Sequence, residues 1–375
     1  MLVYPNTQRS PLAAPRRRTS QEAIGIIGGG NSARALAGYL SRRGHEVRLL
    51  VRSPEKVAGL DYHRAVRVIG HLEGYYPVKQ VTTEPDRFFG DCRTLFVATT
   101  TDAYPELCRR YGPYLEAGHQ VILFSSKFGG SALFEHGLAQ QRRTGVRVIE
   151  TDALFACRAQ GDDAIWIRGI KRWTYYSCPR QSQTRQAAAL MANFFPGLEP
   201  AENLVQRGLT DFGALAHALT VLVNMNSIDR GKPFLFYYEG FTENTVVLLE
   251  SMEREFQRVA QAYGTSLIPA AELLNRYYGG GTGSLLEAIR QVPNYRHSVA
   301  PDTLRHRYLT EDVPCTLVPV QQLARLAGVA TPMIDSVINL SSVLSGRDFA
   351  STGRSLSQFG WSGLKPRQIV DWMAR

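Results

Sequence analysis

The chain has 375 residues, 44% of them hydrophobic and 20% charged, which suits a globular protein with a real core and excludes wholesale disorder. Its 33 glycines follow no fixed period and no heptad run persists, so collagen-like and coiled-coil chains are excluded as well. Lys and Arg number 43 against 33 Asp and Glu, a formal charge of +10 that suits the steering of phosphates and carboxylates. No RNP, zinc-finger or basic-helix motif accompanies it, so nucleic acid is not an expected partner.

Part of the charge lies at the start: residues 1–22 carry Arg9, Arg16, Arg17 and Arg18 against Glu22 alone. With no apolar h-region this is not a secretory signal; a transit peptide would fit Arg16–Arg18, but a basic disordered tail is the simpler expectation. The five cysteines are odd in number and form no CxxC pair, which points to reduced thiols in a cytoplasmic protein and to neither a disulfide frame nor a metal site. No run of 18 apolar residues is present, so no membrane partner is expected.

In chain order, AIGIIGGG (23–30) reads as a short buried strand entering a glycine turn. NSARALAGYLSRR (31–43) reads as a helix, with Gly44 where a C′ glycine belongs. Strands follow at 46–53, 94–100, 120–126 and 147–154, as continuous apolar runs of the kind buried parallel strands show. Helical segments at 102–115 and 130–143 alternate with them, and 164–178 reads as a hairpin or an edge extension. After about residue 204 the pattern becomes helical, with helices expected at 211–224, 242–263, 319–327 and 332–344. Thr242 is placed to cap the second of these, Gly264 to end it, and Thr331 with Pro332 to start the last. The expected fold is α/β: a Rossmann-type doubly wound parallel sheet at 23–204, then an all-helical domain at 205–375.

Gly28-Gly29-Gly30-Asn31-Ser32-Ala33 fits G-x-G-x-x-A between a strand and a helix. Gly28 permits the tight turn, Gly30 lets the backbone approach a pyrophosphate, and Ala33 lets helix pack on strand, with Asn31 and Ser32 opening the helix toward the anion. The second strand runs into Leu50-Val51-Arg52-Ser53, where an NAD site has an acidic residue. Arg52 and Ser53, helped by Lys56, suit a 2′-phosphate instead, so NADPH is expected in preference to NADH. Thr99, Thr100 and Thr101, and Ser125-Ser126-Lys127, follow two further strands at the edge where ligands of open α/β sheets bind.

In DFGALAHALTVLVN (211–224), Phe212, Leu215, Leu219 and Leu222 form an apolar stripe. His217 falls on another face, beside Gly213 and Ala214 and in line with Asn224, with room for a ligand. On these residues alone a satisfied core histidine is the simpler reading. Arg307 and Asp312 stand five apart in RHRYLTEDVP (305–314), before a proline expected to break any helix; a surface ion-pair cluster is the simpler reading there too. In PFLFYYEGFTENT (233–245), Tyr237, Tyr238, Glu239 and Asn244 suit either an amino substrate or the packing of a helix cap.

GGGNSA, GALAHALTVLVN with PFLFYYEGFTENT, and HRYLTEDVPCTLVPVQQLARLAGVATPMIDSVINLSSVL together resemble the octopine/nopaline (opine) dehydrogenase family, over about residues 23–360. The resemblance implies an enzyme that condenses the amine of an amino acid with an α-keto acid and reduces the imine with NAD(P)H. It implies His217 as catalytic acid/base, Asp312 as the carboxylate that orients it, and Arg307 as the group that holds a substrate carboxylate. SSKFGGSAL, RGIKRWTYYS and TPMID are more loosely similar to staphylopine-type enzymes of metallophore synthesis; the basic tail belongs to neither pattern. A keto- or hydroxy-acid reductase of the ketopantoate reductase type, using a lysine in its second domain, and a non-catalytic NADP-binding regulator are the competing expectations. A homodimer is the default assembly.

Overall fold

The structure, a computed structural model, describes residues 23–161, 164–280 and 283–375; the expected basic tail lies outside the described residues. Its strands in chain order are β1 (Ile24–Ile27), β2 (Val47–Leu50), β3 (Ala65–Gly70), β4 (Gly74–Pro77), β5 (Gln80–Thr82), β6 (Thr94–Val97), β7 (Gln120–Leu123), β8 (Arg147–Thr151), β9 (Phe155–Gln160), β10 (Ala164–Ile170), β11 (Thr174–Ser177) and β12 (Leu198–Pro200). Eight of them form one sheet in the order β12-β11-β8-β7-β6-β1-β2-β5. Every pairing from β5 to β8 is parallel; β11 is antiparallel to β8 and parallel to β12, so these two strands run opposite to the other six. β1 and β6 are buried at all their positions, as strands covered on both faces must be. The sheet is the expected doubly wound one, and its strand order reverses between β1 and β6, where such sheets open a ligand crevice.

The four central expected strands exist but are shorter than their apolar runs, ending at Leu50, Val97, Leu123 and Thr151. The residues beyond leave the ladder as loops, so the apolar run outlasts the hydrogen bonding at the edge where ligands would lie. Residues 164–178 form no hairpin of their own, and the edge extension is made by β11, beside β12, on the main sheet. β10 pairs with β9 and β3 in a second sheet, β4-β3-β10-β9, while β11 joins the main one. The residues between them make no reverse turn: Lys171 N–H donates to Leu154 O at 2.9 Å and Arg172 N–H to Tyr277 O at 2.8 Å, which carries the chain from sheet to sheet.

After Pro200 the described residues are helices and turns, with one isolated bridge between Leu235 and Val299. Thr242 caps the helix Glu243–Ala262 by accepting from Thr245 N–H at 3.3 Å, and Gly264, at φ +73°, follows its end. Pro332 opens the helix Pro332–Ser345 as expected, but Thr331 does not cap it. The Met333 and Ile334 N–H groups donate to the Glu255 carboxylate at 2.8 and 2.9 Å, so a neighbouring helix supplies the cap. One apolar cluster fills a single face of the main sheet; the other begins on the opposite face with Ile27, Leu95 and Leu123 and runs without interruption into Phe212, Leu219 and Ile338. The helical part is thereby fixed against the carboxyl edge of the strands. No helix among the described residues is long and apolar enough to cross a membrane.

Candidate active site

The crevice starts where β1 stops. Gly28 has φ +132°, and a Cβ there would lie 2.5 Å from the Ala98 carbonyl oxygen, so only glycine fits. Gly30 precedes the helix Asn31–Arg42; no side chain caps that helix, and a Cβ on Gly30 would meet nothing within 4 Å. The first-turn N–H groups receive no side-chain cap, the arrangement that suits a phosphate. Asn31 is exposed and Ser32 half-buried on that turn, and fully buried Ala33 packs against the sheet. Across the crevice Thr99 and Thr100 follow β6, the Thr99 hydroxyl donating to Thr100 O at 3.2 Å. Arg52 is exposed just beyond β2, and Ser53 starts the short turn Pro54–Val57; the Lys56 side chain lies outside the described residues. These residues fit a nicotinamide dinucleotide, with the pyrophosphate at the glycine turn.

The second half of the site is assembled from distant segments. Asp211 caps the helix Phe212–Val223 through Ala214 N–H at 3.1 Å, and the stripe Phe212, Leu215, Leu219 and Leu222 is buried as expected. His217 projects from another face. The space beside it is taken by its own ring: a Cβ on Gly213 would lie 2.7 Å from His217 Cε1. Asn224 turns away, donating to Thr220 O and Gly240 O at 2.9 and 3.0 Å. His217 Nδ1 lies 2.8 Å from Asp312 Oδ2, and Nε2 lies 2.9 Å from the Tyr237 hydroxyl. Because a carboxylate only accepts, Nδ1 carries a proton and donates it; in the neutral ring Nε2 then accepts from Tyr237 O–H. Tyr308 stacks on the imidazole with ring centres 3.8 Å apart, which fixes its plane.

Asp312 is 4% exposed and holds a second partner, Lys127 Nζ, at 2.6 Å; the same ammonium lies 2.8 Å from Asp211 Oδ2. Burial opposes the Lys127 charge, but Asp211 and Asp312 outweigh it and hold the ammonium above the ordinary lysine value. Burial also raises the Asp312 carboxyl, yet Lys127 and the His217 hydrogen bond prevail and keep it well below the usual carboxylate range. Lys127 follows β7 while the aspartates belong to the helical part, so the ion pairs join the two halves of the molecule. Two further buried ties cross the same seam. Arg354 donates to Phe128 O and Thr101 O at 2.8 and 2.7 Å, and Glu311 accepts from Thr101 N–H at 2.8 Å.

Arg307 opens the short helix Arg307–Thr310, five residues before Asp312, and its side chain is 54% exposed. It lies 3.9 Å from Glu311 and is not bonded to His217; its fork is accessible on the same turn that buries Asp312. Pro314 does not break this segment as expected. It stands in the first turn of a π-helical turn, Val313–Leu317, which continues into the helix Val318–Leu326; a first turn needs no N–H from proline. His306, before Arg307, is pushed down to about 4 by burial and by the charges of Arg307 and His217, and its Nδ1 accepts from Tyr308 N–H at 3.3 Å.

Of Tyr237, Tyr238, Glu239 and Asn244, Tyr237 reaches His217, and Phe236 of the same block meets the imidazole edge-on with ring centres 6.1 Å apart. Tyr238 donates to Arg290 O at 2.6 Å, and Glu239 folds back onto Leu235 N–H within its own loop. Asn244 is exposed in the first turn of the helix Glu243–Ala262. The sequence places Lys127 at the ligand edge without indicating a partner, and it marks Tyr308 only by its position beside Arg307.

Residues 200–345 match the family model described as "NAD/NADP octopine/nopaline dehydrogenase, alpha-helical domain", and residues 23–126 match one described as "NADP oxidoreductase coenzyme F420-dependent". The chain is 28% identical to an opine dehydrogenase of Arthrobacter sp. (strain 1C), covering 90% of this chain and 95% of that protein. A solved octopine dehydrogenase in complex with NADH and agmatine superposes with a TM-score of 0.72 at 20% identity, covering 93% and 98% of the two chains. A yersinopine dehydrogenase with NADP+ bound superposes with a TM-score of 0.65 at 15% identity, covering 94% and 97%.

Proposed function

This chain belongs to the octopine/nopaline (opine) dehydrogenase family, and on that premise we propose which of its residues carry out the condensation of an amine with an α-keto acid. It is an NAD(P)-dependent oxidoreductase acting on CH–NH bonds. The observation that carries the assignment of residues is His217 held between Asp312 and the Tyr237 hydroxyl, at 2.8 and 2.9 Å, on the carboxyl side of a dinucleotide-binding sheet.

Arg307 holds the keto-acid carboxylate through a bidentate charge-assisted pair, which its exposed fork can offer. The amino group adds to the carbonyl, and the resulting hydroxyl takes the position at Nε2 that Tyr237 occupies here. Nε2, free to accept in the neutral ring, takes a proton from the adding amine and passes it to that hydroxyl, and water leaves as the imine forms. Asp312 keeps the other imidazole proton on Nδ1, so that only Nε2 exchanges protons with the substrate. Lys127, locked between two aspartates, exchanges no proton and is a positioning residue for Asp312. When bound, NAD(P)H supplies the hydride that reduces the imine carbon; one amine, one keto acid, one NAD(P)H and one proton yield a secondary amine, water and NAD(P)+.

NADPH is the proposed cofactor, supported by Arg52 and Ser53 where an acidic residue would favour NADH. Catalytic His217, Arg307 and Asp312, and the cofactor contacts Gly28, Gly30, Asn31, Ser32, Ala33, Arg52, Ser53, Thr99 and Thr100, form the proposed site, divided between residues 23–204 and 205–375. A cytoplasmic homodimer is the proposed setting. The competing keto-acid reductase is disfavoured by its lysine: the helical part contains only Lys232 and Lys365, and both are exposed. NADPH oxidation, measured with amino acids crossed against pyruvate, 2-oxoglutarate and glyoxylate, tests the proposal. Oxidation that requires both partners is expected; oxidation with a keto acid alone would move the protein to the reductase class.

A further inference from the structure

We infer that Arg168 is a second anion-binding residue of the site, which holds the α-carboxylate of the amino substrate while Arg307 holds that of the keto acid. The inference rests on the opine dehydrogenase reading and deepens it. An opine has carboxylates on both sides of its secondary amine, so a site that prefers amino acids over simple amines needs two cations, one on each side of the reacting nitrogen.

Arg168 is delivered by a break in a sheet. Along β10 and β9, Ile167 pairs with Cys157 and Gly169 with Ala156, so Arg168 is the extra residue of a β-bulge, a device that re-aims a side chain. A Cβ on Gly169 would lie 2.8 Å from the Asn294 side chain, so the strand passes close against that turn. The Arg168 guanidinium is anchored on neutral groups of the same turn, Nη1 donating to Ser298 Oγ at 3.0 Å and to His297 O at 3.2 Å. It rests near the Trp166 ring, 5.9 Å from the centroid. Its Nε is buried and finds no acceptor, and among the described residues no carboxylate lies within ion-pair distance of the guanidinium. A half-buried cation without an anion is costly, and a bound carboxylate would complete it.

Ser298, which accepts from Arg168, also accepts at its carbonyl from Phe236 N–H at 2.8 Å, and the Phe236 ring meets His217 edge-on at 6.1 Å between centres. Tyr308, stacked on His217, is raised by burial while the charges of Arg307 and Arg168 both pull it down. Burial pushes the Cys157 thiol up to about 11, again against Arg168 and Arg307. Arg168 also acts on Tyr237, which touches Nε2. Arg168 thus approaches the aromatic surround of the catalytic imidazole from the second sheet, and Arg307 stands on the helical part.

The test compares wild type, Arg168→Met and Arg168→Lys, all loaded with NADPH. Turnover with pyruvate is measured for L-arginine against agmatine, L-histidine against histamine and L-phenylalanine against phenethylamine, pairs that differ only in the α-carboxylate. Wild type is expected to prefer the amino acid of the pair it accepts by about ten- to a hundredfold in kcat/KM. Arg168→Met loses that preference, Arg168→Lys keeps part of it, and the KM for pyruvate and the Kd for NADPH stay unchanged. An unchanged preference in Arg168→Met overturns the inference, as does a loss of NADPH affinity, which would assign Arg168 to a cofactor phosphate. Calorimetry with iminodiacetate, a minimal dicarboxylate amine, and sarcosine, its one-carboxylate counterpart, reads the subsite without turnover. Tighter binding of iminodiacetate in wild type, lost in Arg168→Met, supports the inference even if no amine is turned over, a result that would count against the activity alone; equal binding in both proteins overturns it.

Discussion

The proposed dinucleotide cradle and the proposed acid–base centre are built by opposite means. The cradle is a single stretch, Gly28 to Ala33, and works by leaving out atoms: no Cβ fits at Gly28 and none obstructs Gly30. The centre draws Lys127, Asp211, His217, Tyr237, Tyr308 and Asp312 from four separated segments and works by charge, with an ammonium between two carboxylates and an imidazole on one of them. The difference teaches where each is vulnerable. Added volume should damage the first, while removed charge should damage the second.

The largest effect is expected at His217. His217→Ala should lower kcat by about 10²–10⁴ while NADPH, titrated by fluorescence, binds as before. Concurrent loss of cofactor binding would mean that the two regions are not separable as argued. Lys127→Met should come next. It removes the ammonium from two buried carboxylates, leaving Asp312 with His217 and Asp211 with the Ala214 N–H, and should reduce unfolding free energy by about 3–5 kcal/mol, read by urea denaturation, with Lys127→Arg restoring part of it. A variant as stable as wild type would show that the ammonium is not the tie between the halves.

Within the cradle, Arg52→Gln should shift the ratio of NADPH to NADH affinity by about ten- to a hundredfold, the value of charge-assisted bonds to a phosphate, leaving kcat with saturating cofactor unchanged. Gly28→Ala should cost about 1–3 kcal/mol in backbone strain, with weaker cofactor binding as its first symptom. The smallest effect concerns pH. Asp312 and Asp211 both lie below the usual carboxylate range in the folded protein, so their contribution to stability is full above the unfolded value of about 4 and is lost as pH falls through the lower folded values. Thermal unfolding should therefore decline in acid, and Lys127→Met should show the shallower decline, because its aspartates are less depressed.

The cradle was legible because its parts are neighbours in the chain. Strand, glycine turn, helix and the basic end of β2 follow in order, and the small residues required by close packing stand at fixed spacing. Of the centre, the residues alone left His217 and Arg307 with Asp312 as two unremarkable surface or core features, and the resemblance to a family joined them. The lysine between the aspartates was not foreseen, because position 127 and positions 211 and 312 carry no common periodicity. The same reason explains the misreadings. Whether 164–178 formed a hairpin depended on bonds to Leu154 and Tyr277, and whether Thr331 capped its helix depended on Glu255 reaching the same N–H groups first.

The sequence by itself determined the doubly wound sheet, the helical second half and the glycine turn, all set by interactions within a few residues or by apolar period. Tertiary structure alone decided which side chains meet. Charges and hydrogen-bonding groups at distant positions pair through space, and only the packing of helices on the strand ends brings Lys127 to Asp312 and Tyr237 to His217.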